Sequence, residues 1–106
     1  MKTHQRKREK IVEDYLVKKI KELGGMSLKW PAVGRKGVPD RICITPQAGT
    51  IFVEVKADFG RPTKLQVYTI DQINAKGGVA MLAIGKRGVD EIIDFVKAFG
   101  EREKAQ

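Results

Sequence analysis

Apolar residues recur at three- and four-residue intervals in three stretches of the chain, and this spacing is typical of amphipathic helices. The first stretch ends at the pair Gly24-Gly25, and glycine commonly stands just after the end of a helix. The second stretch follows Thr63, a residue type that favours the N-cap position. The predicted helices cover residues 9–23, 64–76 and 89–99.

Four shorter stretches alternate apolar and polar residues or are continuously apolar, which predicts strands. They cover residues 26–30, 41–45, 50–57 and 79–84. The turn residues Pro46 and Gly49 predict a hairpin between the second and third strands. A crossover helix before the last strand predicts a parallel pairing there. The expected fold is therefore α/β, in the order α-β-β-β-α-β-α, with a mixed central sheet. Turns are expected at 58–62 and 85–88, and a polar tail from 101.

Composition narrows the class of protein. With 106 residues the chain is long enough for a single domain, 1–106, and the net charge of +8 predicts a polyanionic partner, most commonly nucleic acid. The single cysteine, Cys43, can form no disulfide within the chain and is expected to be a buried, unreactive thiol. No apolar run is long enough to span a membrane, so an intracellular, cytoplasmic protein of a bacterial or phage-infected cell is expected.

The candidate chemistry lies in two short motifs, Gly37-Val38-Pro39-Asp40 and Glu54-Val55-Lys56. Side chains alternate along a strand, so Glu54 and Lys56 share one face. The predicted hairpin brings Asp40 opposite this end of the third strand. Two carboxylates beside an ammonium favour a site for Mg²⁺, which prefers hard oxygen ligands. The alternative is a surface cluster of salt bridges, which would contribute little.

Two glutamates of the first helix are further candidates. Glu9 and Glu13 both lie on or beside the apolar stripe of that helix. A carboxylate next to a buried face needs a partner, which can be a metal, a cation or water. The spacing does not choose between the two residues.

Together these motifs resemble the VRR-NUC branch of the PD-(D/E)XK nucleases in its small, stand-alone phage form. The resemblance covers nearly the whole chain, in matching blocks at residues 8–25, 37–42, 52–57, 65–66 and 77–79. It implies a restriction-endonuclease-like core in which Asp40, Glu54, the backbone carbonyl of Val55 and either Glu9 or Glu13 hold Mg²⁺ or Mn²⁺. It also implies that Lys56 orients the attacking water.

The resemblance further implies a supporting role for Gln66, which could instead be an ordinary polar residue at a helix start. Basic residues around the motifs are expected to grip the DNA backbone, although several could be ordinary loop charge. They are Lys29, Arg35, Lys36, Arg41, Arg61 and Lys64.

The function implied by the resemblance is metal-dependent, structure-selective cleavage of branched DNA such as Holliday junctions by a homodimer. No membrane partner is expected. Two alternatives remain open at this point. The positive charge alone would suffice for a non-catalytic nucleic-acid-binding module, and the chain could also be a subunit of a larger nuclease assembly.

Overall fold

A computed structural model of the chain describes residues 3–31 and 33–105, and it has the predicted α/β order. The helices are α1 (Thr3–Glu22), α2 (Lys64–Ala75) and α3 (Gly85–Ala105). The strands are β1 (Met26–Lys29), β2 (Arg41–Thr45), β3 (Gly49–Lys56) and β4 (Ala80–Ile84).

The four strands form one mixed sheet in the order β1-β2-β3-β4. The β2–β3 pair is antiparallel and the β3–β4 pair is parallel, as predicted, and the β1–β2 pair is antiparallel as well. In the β2–β3 hairpin Arg41 is the partner of Val53. Extending this register by one residue sets Asp40 opposite Glu54, so the hairpin itself brings the two motifs together.

The hydrophobic core lies between one face of the sheet and the helices α1 and α3. Leu16 and Ile20 from α1 and Val96 from α3 are completely buried, together with Ile51 and Val53 from β3. The alternation along β3 therefore assigns Ile51, Val53 and Val55 to the core face, and turns Phe52, Glu54 and Lys56 the other way. On that second face the rings of Phe52 and Trp30 pack with centroids 5.0 Å apart.

Three helix boundaries differ clearly from the prediction. The helix α1 already includes residues from Thr3 onward. The predicted turn at 85–88 is wrong, because these residues form the first turn of α3, and the predicted polar tail is helical to Ala105. Close packing explains the glycine there, since a Cβ on Gly88 would lie only 2.9 Å from the Ala83 backbone.

The prediction for Cys43 is confirmed as to burial. Its side chain is inaccessible to solvent and donates a 3.4 Å hydrogen bond to Ser27 Oγ. Burial raises the pKa of the thiol, which keeps it protonated and unreactive. Within the described part of the chain, no helix combines the length and the apolar character that a membrane crossing requires.

Candidate active site

Asp40 joins three strands at the open end of the hairpin. Its backbone oxygen accepts a 3.0 Å hydrogen bond from the Trp30 amide, which extends the β1–β2 ladder by one step. Its side-chain Oδ2 accepts a 2.9 Å hydrogen bond from the Val55 amide of β3. The neighbouring Pro39 is buried and fixes the backbone ahead of the strand. The carboxylate is thus tied to the sheet on one side, while the residue remains open to solvent.

Glu54 is a buried acid whose side chain is only partly satisfied. The residue is 1% exposed, and its Oε2 lies 3.2 Å from Lys56 Nζ. Its Oε1 is buried and has no hydrogen-bond partner. Burial raises the pKa of Glu54 to about 7, and the nearby Asp40 charge adds to the rise, while Lys56 opposes it. Glu54 therefore needs more positive charge than Lys56 supplies if it is to be fully ionised at neutral pH.

The two helix glutamates have different partners, although they are one turn apart on α1. Glu13 Oε2 lies 3.2 Å from Arg41 Nη1, in a paired and partly buried arrangement. Glu9 Oε1 lies 4.0 Å from Lys56 Nζ. Burial raises the pKa of Glu9; Lys56 lowers it, and the Asp40 and Glu13 charges raise it further. Glu9 thus shares the Lys56 ammonium with Glu54, whereas Glu13 has a cation of its own.

These carboxylates surround a shallow surface cavity, here called the acidic depression. It is lined by Asp40, Glu9, Glu13, Val55 and Lys29, among others. No three His, Cys, Asp or Glu side chains of residues 3–31 and 33–105 form a ready-made cage for a metal. Mg²⁺, however, is usually held by one or two carboxylates with waters and substrate phosphate. The buried, unpartnered Glu54 Oε1 beside Asp40 fits such an ion, because a carboxylate oxygen without a hydrogen-bond donor is available as a hard ligand.

Gln66 takes part in the N-terminal cap of α2. Its Oε1 accepts a 2.8 Å hydrogen bond from the Thr63 amide, and Thr63 Oγ1 accepts from the Gln66 amide at 3.1 Å. This reciprocal pair is a capping box. The structure thus favours the alternative in which Gln66 is a polar residue satisfied at a helix start, and its role in the reaction stays a prediction.

Arg41 is largely occupied inside the protein. It is 8% exposed, and it donates hydrogen bonds to Ser27 Oγ, the Ser27 carbonyl and Glu13. Each of its three nitrogens already has a partner there, and its contact with DNA stays a prediction. The sequence shows the arginine beside Asp40 but gives no sign that Ser27 and Glu13 lie across from it.

The other predicted DNA contacts are exposed residues. Lys29 lines the acidic depression, and Arg61 lines a groove that also contains Lys56. Arg35 lies on an adjoining cavity together with Trp30. The remaining two, Lys36 and Lys64, are exposed near the ends of the loops that lead to Asp40 and α2.

Sequence reasoning missed Phe59, which lies near Lys56. Arg8 lines the same groove as Lys56 and Arg61, and Phe59 forms part of its wall. Phe59 is read from the sequence only as one member of a turn. Its position before Gly60, directly after the Glu54–Lys56 motif, is the signal that could have drawn attention to it.

Comparisons with known proteins agree with this geometry. No family model matches the chain. A protein of Acyrthosiphon pisum secondary endosymbiont phage 1, described as "Putative nuclease p44", is 42% identical over 60 residues, which are 57% of this chain. The chain spans 64% of the length of that curated relative.

Two solved structures are similar to the whole fold. One, a "VRR_NUC domain", has a TM-score of 0.75 and 30% identity, over 82% of this chain and 95% of that one. A second, a "VRR_NUC domain protein", has a TM-score of 0.67 over 86% of this chain and 88% of that one. Its 22% identity makes it a likeness of fold alone. The expected fold class, with a PD-(D/E)XK-like core, is confirmed.

Proposed function

The chain belongs to the VRR_NUC family, and we propose that it is a divalent-metal-dependent DNA endonuclease that hydrolyses phosphodiester bonds in branched DNA such as Holliday junctions. The observation that carries the proposal is the meeting of Asp40, Glu54 and Lys56 at the open end of one hairpin. The curated phage relative, itself described as a nuclease, supports the same class of activity.

In this proposal Asp40, Glu54, the backbone carbonyl of Val55 and Glu9 hold Mg²⁺ or Mn²⁺. Such an ion, when bound, lowers the pKa of a water and stabilises negative charge on the phosphate. Glu9 is preferred to Glu13 because Arg41 already neutralises Glu13, whereas Glu9 shares Lys56 with a second acid. Asp40 accepts one hydrogen bond at its backbone carbonyl and one at its carboxylate, so the carboxylate is positioned before any ligand arrives.

In this proposal Lys56 has one role in the free protein and another in the reaction. In the free protein its ammonium stands 3.2 Å from Glu54 and 4.0 Å from Glu9, where it partly balances their charge. When a cation takes over that balance, the ammonium is free to donate a hydrogen bond to the attacking water or to a phosphate oxygen. A donor that meets charge developing in the transition state contributes directly to the rate.

DNA would approach from the solvent side of Asp40. Exposed basic residues flank this side, and their contacts with phosphates would set the register of the backbone without reading the bases. They are Lys29, Arg35, Lys36, Arg61 and Lys64. A homodimer would present two such sites, which suits the symmetric cutting of a junction.

The test is cleavage of end-labelled four-way junction, flap, single-stranded and duplex DNA in Mg²⁺, Mn²⁺ or EDTA. The variant Asp40→Asn is informative because its side-chain oxygen can still accept the Val55 amide, so only the charge is lost. Lys56→Ala removes the ammonium. Asp94→Asn and Lys97→Ala, which change exposed charges on α3, are the matched controls.

We expect metal-dependent cutting of the junction that Asp40→Asn and Lys56→Ala abolish and the controls preserve. Tight binding without cutting in either metal would replace the proposal with a non-catalytic DNA-binding module. Cutting that appears only when a partner protein is added would identify a subunit of a larger assembly. Sedimentation of the protein alone and on the junction tests the homodimer.

A further inference from the structure

Phe59 is a solvent-exposed aromatic residue with an unusual backbone conformation. Its side chain is almost entirely in solvent, with the residue 97% exposed. Its backbone has φ 64°, the only positive φ among the described residues other than glycine. For a bulky residue this left-handed conformation costs roughly 1–2 kcal/mol. Neither exposure nor conformation is explained by the stability of the free protein.

The turn that contains Phe59 packs closely against the end of β3 and against Gly85. The Gly60 amide donates a 2.8 Å hydrogen bond to the Ala57 carbonyl, so Phe59 is the third residue of a closed β-turn. A Cβ on Gly60 would lie 2.9 Å from that carbonyl and 3.2 Å from Lys56 Cβ, so the turn folds back closely onto the end of β3. On the other side Asp58 lies so close to Gly85 that a Cβ there would overlap its carboxylate. The ring is therefore presented by a fixed piece of backbone next to Lys56.

Phe59 also lines two adjoining grooves. The first, the Arg8–Arg61 groove, includes Glu9 and Lys56 as well. The second, the Arg61–Arg87 groove, shares Phe59 and Arg61 with the first and reaches Ile84. Asp58 is the one acid in the second groove, and it shares the first with Glu9. Phe59 thus borders both grooves, and each of them carries at least two arginines or lysines, with Arg61 common to both.

The residues around Phe59 distinguish it from an ordinary exposed apolar residue. A docking site for another protein usually extends over a contiguous apolar patch, whereas the grooves beside Phe59 include the cationic side chains of Arg8, Lys56, Arg61 and Arg87. Cations that grip phosphates, together with an exposed ring that can stack on any base, are the two components of single-strand recognition. The chemistry therefore favours nucleic acid with an unpaired or separable base.

We propose that Phe59 is a wedge that stacks on a base at the point where DNA strands separate, with one strand directed into each groove. The inference rests on the proposed nuclease function and gives it a specificity-determining residue. The Arg8–Arg61 groove leads to Lys56 and Glu9, so the strand entering it is the strand that is cut. The Arg61–Arg87 groove holds the strand that is spared.

The position of the ring also sets the place of the cut. Phe59 stands three positions after Lys56, which is at most about 10 Å of extended chain. Phosphates along one strand of a duplex recur every ~3.4 Å of axis. The cut is therefore expected within about three nucleotides of the branch.

The experiment measures equilibrium binding by fluorescence anisotropy in EDTA, so that it is independent of cleavage. Four-way junction and linear duplex of equal length are compared for the wild-type protein, Phe59→Leu and Phe59→Trp. Leucine keeps an apolar side chain but cannot stack, whereas tryptophan keeps an aromatic face. Ile44→Ala, at an exposed apolar residue on β2, is the matched control.

Stacking of one base on an aromatic ring corresponds to about 5- to 150-fold in affinity. We expect Phe59→Leu to lose a factor in this range on the junction and almost nothing on the duplex, while Phe59→Trp and Ile44→Ala resemble the wild type. Equal losses on both DNAs, an unchanged Phe59→Leu, or a wild type without preference for the junction would each overturn the wedge. A wild type that prefers the junction through Phe59 but never cuts would leave the wedge standing and refute the nuclease.

Discussion

Two clusters of acidic and basic side chains lie side by side at the open end of the hairpin. They differ in how completely their charges neutralise each other. In the first, Arg41 binds Glu13 and both oxygens of Ser27, so each charge is neutralised and each guanidinium nitrogen has a partner. In the second, the single ammonium of Lys56 faces Glu54 and Glu9, with Asp40 close enough to raise the pKa of both acids. The balanced cluster is built to hold β1, β2 and α1 together. The unbalanced cluster has an excess of negative charge that a proton or another cation can relieve.

Removing the cation from each cluster gives the largest expected contrast. Lys56→Met should lower junction cleavage by about 10²–10³-fold, because it deletes a donor that meets transition-state charge. Arg41→Met should instead cost about 3 kcal/mol of unfolding free energy, since it breaks a partly buried pair and leaves the Ser27 carbonyl without its donor. Urea denaturation and cleavage rates measured on both variants check this. A loss of activity in folded Arg41→Met as large as that in Lys56→Met would contradict the division.

Neutralising one helix acid at a time should give a smaller but parallel contrast. Glu9→Gln should lower cleavage by about 10- to 100-fold and leave stability unchanged or slightly higher, because the charge it removes is disfavoured by burial. Glu13→Gln should cost about 1 kcal/mol and leave cleavage nearly unchanged, since the glutamine oxygen can still accept from Arg41. The measurements are the metal dependence of cleavage and the melting temperature. The reverse assignment, with Glu13→Gln the inactive variant, would show that Glu13 is the helix ligand.

A further expected effect is the pH dependence of stability in EDTA. The pKa of Glu54 is about 7 in the folded protein against an ordinary value of 4.5, so the folded state binds this proton more tightly than the unfolded state. Its contribution to stability is fully present below pH 4.5 and is lost as the pH rises to about 7. Glu54→Gln should remove this loss, and Mg²⁺ should reduce it in the wild type.

Unfolding free energies at pH 4.5, 6, 7 and 8 test this expectation, with Glu91→Gln as a control at an exposed glutamate of α3. If the wild type and Glu54→Gln have parallel pH profiles in EDTA, the buried acid does not carry the excess charge.

The approach of Asp40 to Glu54 and Lys56 could be predicted from the sequence because it depends on local rules. A short turn sets the register of a hairpin, and the two-residue period of a strand sets which side chains share a face. The choice between Glu9 and Glu13 could not be made in this way. Both lie on the same stripe of α1, and the residue that separates them, Arg41, reaches Glu13 only through the packing of α1 against the sheet.

The predicted turn at 85–88 failed for a related reason. Glycine is read locally as a helix breaker, but Gly88 stands where α3 passes close to the Ala83 backbone, and only the tertiary structure shows this demand. Phe59 was missed because its significance lies in exposure and in the grooves beside it, which no local pattern reports.

The double attachment of Asp40 has a consequence for how this fold can change its function in evolution. One oxygen of the carboxylate accepts a hydrogen bond from the Val55 amide. The negative charge of the carboxylate remains available for the reaction. Asparagine would keep the first role and lose the second. The codons of aspartate and asparagine differ by one nucleotide. A descendant that grips DNA without cutting it therefore lies one mutation away, and the loss of activity need not pass through an unfolded intermediate.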